Sequence, residues 1–345
     1  MLEIDGSQKS GSGTILRLSV ALAAILGEPL HIFNIREKRS QPGLRPQHLE
    51  AVLSAARLCD AQVQGAMLGS REIWFTPSEI RGGVVESEIG TAGSIPMLLL
   101  TVLPICAYAK RHVSLRVIKG GTDVRNAPTV NYLKYVLLPM LGRMGLKATL
   151  TVKKYGYYPK GMGEIALEVD PCPNLSPIRL ERFGELRSVK GVSVCTFLAD
   201  RKVAERQAAA AEALLKSAGL APKIEVVNDV SNPLQKGSSL VLWAETDSGA
   251  LLGGDAIGEL GKPSEKVGRE AANNLLKEVN AEATVDSHLA DMLVPYVALA
   301  QGNSAYLSGF MTEHLDTNIW LAEKILGTKF QVTKAENLYR VETAK

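Results

Sequence analysis

Cysteines, aromatic residues and unbalanced charge are all scarce in this chain of 345 residues. Its four cysteines form no CxxC pair, so sequence spacing indicates neither a zinc site nor a redox pair. The net charge of +3 does not by itself argue for nucleic-acid binding. The longest apolar stretch, 95–109, is too short to span a bilayer, and the N-terminus lacks the profile of a signal peptide. We therefore expect a soluble, cytoplasmic protein without a membrane partner.

Apolar material is abundant instead. Hydrophobic residues make up 46% of the chain and charged residues 22%, which is the composition of an ordinary globular protein with a sizeable core. The length predicts either two domains or one domain that carries an insertion.

Short β-type runs alternate with amphipathic helical runs, and the order strand, helix, strand, helix and two strands occurs three times. A stretch with strands and helices of its own interrupts the third occurrence, with turn signals at 232–233 and 249–254. We therefore predict an α+β fold. It comprises three units, each a four-stranded sheet with two helices, in residues 1–181 and 282–345, and an inserted smaller α/β domain in residues 182–281.

His314 is the first candidate for chemistry. It lies in SGFMTEHLDTNIW, where a strand end meets a helix that Thr312 is placed to cap. A neutral imidazole nitrogen attacks phosphorus without prior deprotonation, so His314 is a candidate nucleophile. The alternative is a histidine that only caps or packs the end of its helix.

The N-terminal part of the chain holds material for binding an anion. A glycine-rich loop, 6–13, precedes a helix whose N-terminus favours phosphate, although a simple turn has the same composition. Arg17 follows on the first turns of that helix. A proline-broken loop, IREKRSQPGLRPQH, comes next, and its guanidinium groups match phosphate oxygens unless they only form a solvated surface. Its basic and polar side chains are Arg36, Lys38, Arg39, Arg45, Gln47 and His48.

Three further segments carry candidate residues. GGTDVRNAP, from residue 120, and YGYYPKGMGE, at 155–164, combine turn glycines with polar and aromatic side chains. That combination suits RNA backbone contact and base stacking, and an ordinary exposed hairpin is the alternative. In SHLADML, at 287–293, Asp291 interrupts an apolar helix, where a carboxylate requires a partner or a function unless it serves as a helix N-terminal carboxylate.

Together these segments resemble the RNA 3'-terminal phosphate cyclase family over essentially the whole chain. The motifs that carry the resemblance, in chain order, are DGSQKSGSGTILR, IRxxRxxPGLxxQHL, IGTAGS, GGTD followed by NAP, YGYYPKGMGE, GKPSEKVG, HLAD and EHLDTNI. Their joint occurrence is far more specific than any single motif. The resemblance implies three repeats similar to the C-terminal domain of translation initiation factor three, with one inserted smaller α/β domain.

The resemblance also implies a reaction with ATP and an RNA that ends in a 3'-phosphate. His314, at the family's histidine position, attacks the α-phosphate of ATP and is adenylated. The AMP passes to the RNA 3'-phosphate to give RNA(3')pp(5')A, and the neighbouring 2'-hydroxyl then closes the 2',3'-cyclic ester and expels AMP. The logic is covalent catalysis, in which activation converts a poor leaving oxygen into AMP.

Further site residues follow from the same resemblance. Family positions around the phosphates correspond to Arg17, Arg36, Arg39 and Gln47. The nucleotide pocket corresponds to Leu100, Pro128, His288, Leu289, Ala290, Asp291 and Met292.

The chain departs from the family pattern at several polar positions. Ser10 stands where the family has a glutamate that helps to hold a metal ion, and Thr14 stands in place of a glutamine. Leu100 and Met292 likewise replace glutamines of the nucleotide pocket. Because Mg²⁺ prefers hard oxygen ligands, we expect weaker binding of Mg²⁺ (or Mn²⁺) here. The nucleotide preference stays open.

Two other functions are compatible with these residues. One is a non-catalytic relative of the cyclases that binds RNA during ribosomal RNA processing, although such relatives lack the histidine that this chain retains as His314. The other is a cyclase with an altered nucleotide or metal preference. The natural RNA and the oligomeric state are not indicated by the sequence.

Overall fold

A computed structural model describes residues 1–344 of the chain. The first part folds into a four-stranded sheet with strand order β1-β2-β4-β3, in which only β1 and β2 run parallel. Its elements are β1 (Leu2–Asp5), α1 (Gly13–Leu26), β2 (Leu30–Phe33), α2 (Pro46–Cys59), β3 (Gln62–Gln64) and β4 (Ile73–Thr76). Alternate residues of β2 and β4 are buried, as expected for a sheet with one face on a core.

The second part repeats this strand order as β5-β6-β8-β7, again with the first pair parallel. Its elements are β5 (Gly83–Glu88), α3 (Ile95–Ala107), β6 (Val113–Gly120), α4 (Val130–Tyr132), α5 (Leu138–Arg143), β7 (Ala148–Lys154) and β8 (Gly163–Val169). The helical segment of this part starts after Thr129, whose hydroxyl caps it, and widens to a π-helical turn over Leu133–Leu137. Pro139 follows two residues later and has no N–H to donate, which favours such an irregularity.

Most of the next hundred residues build a separate sheet of order β11-β10-β12-β13. The elements in this stretch are β9 (Arg179–Leu180), β10 (Leu186–Thr196), α6 (Val203–Ser217), β11 (Pro222–Asp229), β12 (Gly237–Thr246), β13 (Leu251–Ile257) and α7 (Ser264–Asn280). The turn expected at 249–254 is mostly strand β13. Its glycines serve close packing, since a Cβ on Gly254 would lie 2.5 Å from the backbone nitrogen of Leu275.

The C-terminal part completes the remaining sheet, of order β9-β14-β16-β15. Its further elements are α8 (Ser287–Leu299), β14 (Ala305–Ser308), α9 (Glu313–Leu326), β15 (Lys329–Ala335) and β16 (Leu338–Ala344). The short strand β9 was not predicted. It pairs with β14 in parallel through only two residues, too few to show a period-two pattern in the sequence.

The mixed α+β class is confirmed: the described residues form four four-stranded sheets combined with helices. One large core cluster joins helices α1, α2, α3, α8 and α9, and a smaller cluster lies between α6, α7 and their sheet. Helix α1 packs against both α3 and α9, so the N-terminal and C-terminal parts meet around it. Among residues 1–344, none of the helices is long and apolar enough to cross a membrane.

Candidate active site

A cavity of about 740 Å³ opens where α1, α2, α3, α8 and α9 converge. It is within the size range of small-molecule sites. The predicted site residues that line it are Arg17, Arg36, Arg39, Gln47, Leu100, Pro128, His288, Asp291, Met292 and His314. The structure therefore brings together residues from distant parts of the chain.

Three of the positions that the family resemblance singles out do not line the cavity. Leu289 and Ala290 are fully buried in the core. The cavity is lined instead by His288, Asp291, Met292 and Pro295 of the same helix, which share one face because a helix repeats every 3.6 residues. Ser10 lies just outside, with its hydroxyl 3.0 Å from that of Ser12, which does line the cavity.

His314 is the second residue of α9, at the cavity. The Thr312 hydroxyl accepts the backbone N–H of Leu315, which confirms the predicted cap. The Nδ1 atom of His314 lies 3.2 Å from the hydroxyl of Thr14, and that hydroxyl also accepts a hydrogen bond of 3.0 Å from Arg17. The ring is thereby held against the N-terminus of α1.

Two contacts tie the glycine-rich loop to α9. Lys9 forms an ion pair of 3.0 Å with Asp316, and the backbone N–H of Ser10 donates to the Thr317 hydroxyl at 3.3 Å. Helix α1 begins at the end of this loop, with Ser12 as its cap. The N-terminus of α1 and the imidazole consequently face the same space.

The charge state of His314 suits nucleophilic attack. Its partial removal from water and the positive charges of Arg17 and Arg39 lower its pKa below the ordinary value. The ring is therefore neutral near pH 7, and a neutral imidazole keeps a lone pair for a nucleophilic step.

The cavity is lined by three guanidinium groups, those of Arg17, Arg36 and Arg39. Burial, together with Arg36 and Arg39, lowers the pKa of Arg17 to about 10. The pKa of Arg36 is lowered for the same kinds of reason, with Arg39 and Arg45 as its charged neighbours. Within residues 1–344 no carboxylate pairs with these arginines, so their charge is available to an anion that enters the cavity.

His48 also lines the cavity and is almost completely buried. Burial and the nearby cations, Arg17 first among them, lower its pKa to about 2, so the ring is neutral. Its Nδ1 has no hydrogen-bond partner within the described residues. Gly13 makes this arrangement possible, because a Cβ there would lie 2.4 Å from Nε2 of His48.

Two carboxylates also line the cavity. Burial raises the pKa of Asp291 to about 7, although its carboxylate accepts a hydrogen bond of 2.5 Å from Thr312, the residue that caps the helix of His314. Burial also raises the pKa of Asp255, which accepts the backbone N–H of Thr129 at 2.7 Å. His288 lies near both carboxylates.

Two buried polar atoms at the cavity also lack partners among residues 1–344. They are the hydroxyl of Tyr296 and the side-chain oxygen of Asn318, and both residues line the cavity. Because such atoms are costly to leave unpaired, they are available for hydrogen bonds to a ligand.

Gln47 and the loop before α4 shape the rim. The side-chain oxygen of Gln47 accepts the backbone N–H of Ser94 at 2.6 Å and so orders the start of α3. Arg125 lines the cavity and forms a bidentate ion pair with Glu259. This pair joins the rim to the segment that follows β13.

Sequence reasoning missed Asp255, Asn318 and the role of Thr14. Asp255 had a signal, because it is a carboxylate within the apolar strand LLGGDAI, and such a residue requires a partner or a function. Asn318 follows His314 by one helical turn, a spacing that places both on one face. The contact of Thr14 with His314 joins residues 300 positions apart and has no local signal.

The structure shows no cluster of protein side chains of the kind that holds a metal ion. Among residues 1–344 there is no group of three or more His, Cys, Asp or Glu side chains arranged to hold one. Ser10 contributes a neutral hydroxyl, and the carboxylates that line the cavity are those of Asp255 and Asp291.

Fold and cavity define a class: a mixed α+β protein with an anion-receptive cavity and a neutral histidine within it. Residues 8–332 match the family described as RNA 3'-terminal phosphate cyclase. A protein of that name from Pyrobaculum neutrophilum is 45% identical over 343 residues, covering 99% of this chain and 97% of the relative. One from Pyrococcus furiosus is 45% identical over 332 residues, covering 96% and 95%. The chain belongs to the RNA 3'-terminal phosphate cyclase family.

A more distant relative matches just as completely. The protein named RNA 3'-terminal phosphate cyclase from Methanosarcina acetivorans is 41% identical over 363 aligned positions, covering 99% of each chain. The similarity thus extends over both the outer parts and the middle of the sequence.

Proposed function

We propose that this protein is an ATP-dependent RNA 3'-terminal phosphate cyclase, an enzyme of the ligase class that converts an RNA 3'-phosphate into a 2',3'-cyclic phosphodiester. The observation that carries the proposal is the juxtaposition of a neutral His314 with Arg17, Arg36 and Arg39 in one cavity. Membership of the cyclase family supports it.

In the first step a ring nitrogen of His314 attacks the α-phosphorus of ATP. A P–N bond forms, the bond between the α-phosphorus and the bridging oxygen breaks, and pyrophosphate leaves. Arg17, Arg36 and Arg39 are placed to bind the charged phosphates. The lowered pKa of His314 supplies the lone pair without a separate base.

In the second step an oxygen of the RNA 3'-phosphate attacks the phosphorus of the histidine-bound AMP. The P–N bond breaks, and RNA(3')pp(5')A forms. In the third step the 2'-hydroxyl oxygen attacks the 3'-phosphorus and releases its proton to solvent. The bond from the 3'-phosphorus to the bridging oxygen breaks, and AMP leaves with that oxygen. Both steps bring negative charge into the cavity, where Arg17, Arg36 and Arg39 have no carboxylate partner within the described residues.

The nucleoside of ATP would lie against Asp291 and Asn318. Its hydroxyl and amino groups are donors, and the carboxylate of Asp291 and the free oxygen of Asn318 are acceptors. Leu100 and Met292 add apolar surface there. A divalent cation would arrive with the phosphates of the nucleotide, and we assign it no step through protein ligands.

Incubation with α-labelled ATP, followed by a denaturing gel, tests the proposal. We expect label on the protein that survives alkali and is lost in acid, as a phosphoramidate requires, and transfer of that label to added RNA with a 3'-phosphate. A parallel reaction with α-labelled GTP determines the nucleotide preference. Failure of any nucleotide to label the protein would contradict the proposed chemistry.

We also propose that residues 1–181 with 282–345 form one three-repeat domain and that 182–281 are inserted into it. The shared strand order of three sheets supports the repeats, and the separate core between α6 and α7 supports the insertion. We place the enzyme in the cytoplasm, because the cysteines within the described residues are all unpaired.

A further inference from the structure

Several large apolar side chains are exposed together on the side of the molecule formed by three loops. Tyr158 is 79% exposed, Val230 72%, Leu234 55% and Phe197 37%. We call residues 157–160, 196–202 and 229–236 the Tyr158 ledge. Exposed apolar groups concentrated in one place commonly mark a binding surface.

Hydrogen bonds hold the three loops of the ledge together. The Tyr157 hydroxyl lies 3.3 Å from that of Thr196. This contact joins the residue before Tyr158 to the residue before Phe197. The buried Asn232 donates to the carbonyl of Tyr155 at 2.6 Å and to that of Gly161 at 3.2 Å. The ledge is therefore held in place before any partner binds.

Gln235 adds a second connection between two of these loops. Its side chain donates to the carbonyl of Tyr158 at 3.0 Å and accepts the backbone N–H of Lys160 at 3.2 Å. The exposed tyrosine thus stands on a turn that is fixed on both sides.

The ledge is continuous with the rim of the cavity. Thr122 and Asp123, just before the cavity-lining residues 125–128, both donate their backbone N–H to the carbonyl of Gly156. On the other side, the backbone of Gly161 packs against Thr91 and Ala92, which lead into Ser94 at the cavity wall. A ligand extending out of the cavity past this rim would reach the ledge.

The charge of the ledge favours a polyanion. Its basic residues are Lys160, Arg201, Lys202 and Lys236, all exposed, against the acidic residues Asp200 and Asp229. Asp229 is occupied by the hydroxyls of Thr196 and Ser231. Aromatic rings among lysines and arginines are the usual composition of a surface that binds single-stranded nucleic acid.

We propose that the Tyr158 ledge binds the single-stranded segment of the RNA that precedes the 3'-terminal nucleotide, with bases stacking on Tyr158 and Phe197 and phosphates contacting Lys160 and Lys236. This inference rests on the proposed function, because that function places the RNA 3' end in the cavity. The terminal phosphate is bound by the cavity, and the ledge adds affinity only for RNA long enough to reach it.

The test compares RNA binding of Tyr158→Ala, Tyr158→Phe and the wild-type protein. The probes are an unstructured, 3'-phosphorylated oligoadenosine of about 12 nucleotides, followed by fluorescence anisotropy, and a 3'-phosphorylated dinucleotide, measured by competition. We expect Tyr158→Ala to raise the Kd of the long RNA roughly tenfold and to leave that of the dinucleotide unchanged. Tyr158→Phe should keep the wild-type values, because the ring remains. Val84→Ala, an exposed apolar residue of β5 outside the ledge, is the control and should change neither value.

An unchanged Kd for the long RNA in Tyr158→Ala would overturn the inference and favour a protein as the partner of the ledge. Equal weakening of both probes would also overturn it, since the residue would then act through the cavity. Labelling by α-labelled ATP should be the same in Tyr158→Ala and the wild type. If the wild-type protein takes no label, the proposed function fails, while the comparison of the two RNA lengths still decides the role of the ledge.

Discussion

Two sets of charged side chains line the cavity, and they differ in their partners. Arg17, Arg36 and Arg39 have no carboxylate partner within residues 1–344, whereas Asp291 and Asp255 accept hydrogen bonds from Thr312 and Thr129. Burial lowers the pKa of Arg17 to about 10 and raises that of Asp291 to about 7. Guanidinium groups without carboxylate partners suit phosphates, and carboxyl oxygens suit the hydroxyl and amino groups of a nucleoside. The difference teaches that the cavity is suited to a ligand that carries both kinds of group.

The largest effect is expected at the nucleophile. His314→Ala should abolish labelling by α-labelled ATP, because His48, which also lies near Arg17, is buried with its pKa lowered to about 2. His31→Ala, on the outer face of the first sheet, is the matched control and should label normally. Labelling of His314→Ala together with its loss in His48→Ala would reverse the two assignments.

The next effect distinguishes Arg36 from Arg39, two arginines that line the cavity. Arg36 donates to the carbonyls of Gln41 and Gly43 at 2.8 and 2.7 Å, whereas the exposed Arg39 makes no side-chain hydrogen bond within residues 1–344. Arg39→Ala should therefore weaken ATP binding by about 1.5–3 kcal/mol and leave the Tm unchanged. Arg36→Ala should lower both. Equilibrium binding and thermal melting of each variant make the measurement, and a lowered Tm in Arg39→Ala would contradict it.

A smaller effect concerns the pH dependence of stability through two buried carboxyl groups, Asp291 and Asp123. Burial raises the pKa of Asp291 and of Asp123 from 3.8 to about 7. Each carboxyl binds its proton more tightly when folded, so its contribution to stability is full below pH 3.8 and is lost as the pH rises to about 7. Asp291→Asn and Asp123→Asn should each flatten this decline, by up to about 1.4 kcal/mol per pH unit.

Urea unfolding across that pH interval provides the stability measurement, and ATP binding separates the two variants. Asp291 lines the cavity and Asp123 does not. Only Asp291→Asn should therefore change the Kd of ATP. Equal Kd values for ATP in the two variants would show that the nucleotide does not reach Asp291.

Local signals in the sequence predicted the helices and most strands. The pattern around His314 predicted α9 and its cap, because both depend on residues within one helical turn. Strand β13 was missed because Gly253 and Gly254 are typical of turns, whereas here they let the strand approach Tyr132 and α7. The need for glycine in a strand arises from neighbours that are distant in the sequence.

The cavity was predictable to the extent that family motifs mark its positions. Leu289 and Ala290 belong to such a motif, but they point into the core, and helical periodicity alone would have separated them from His288 and Asp291. Asp255 reaches the cavity from the separate sheet of β13. No local pattern specifies that arrangement, since it depends on how that sheet packs against the rest.

The smallest expected effect concerns the Mg²⁺ concentration that adenylation requires. Ser10 lies beside the cavity, with its backbone N–H on Thr317 and its hydroxyl near that of Ser12. Because a carboxylate adds charge and a hard oxygen where serine offers a neutral dipole, Ser10→Glu should lower the Mg²⁺ concentration needed for adenylation. A Mg²⁺ titration of adenylation in both proteins measures this, with Ser10→Gln as the control for size. Equal half-saturation in Ser10→Glu and the wild type would show that the loop does not approach the metal, and it would favour a simple turn for residues 6–13.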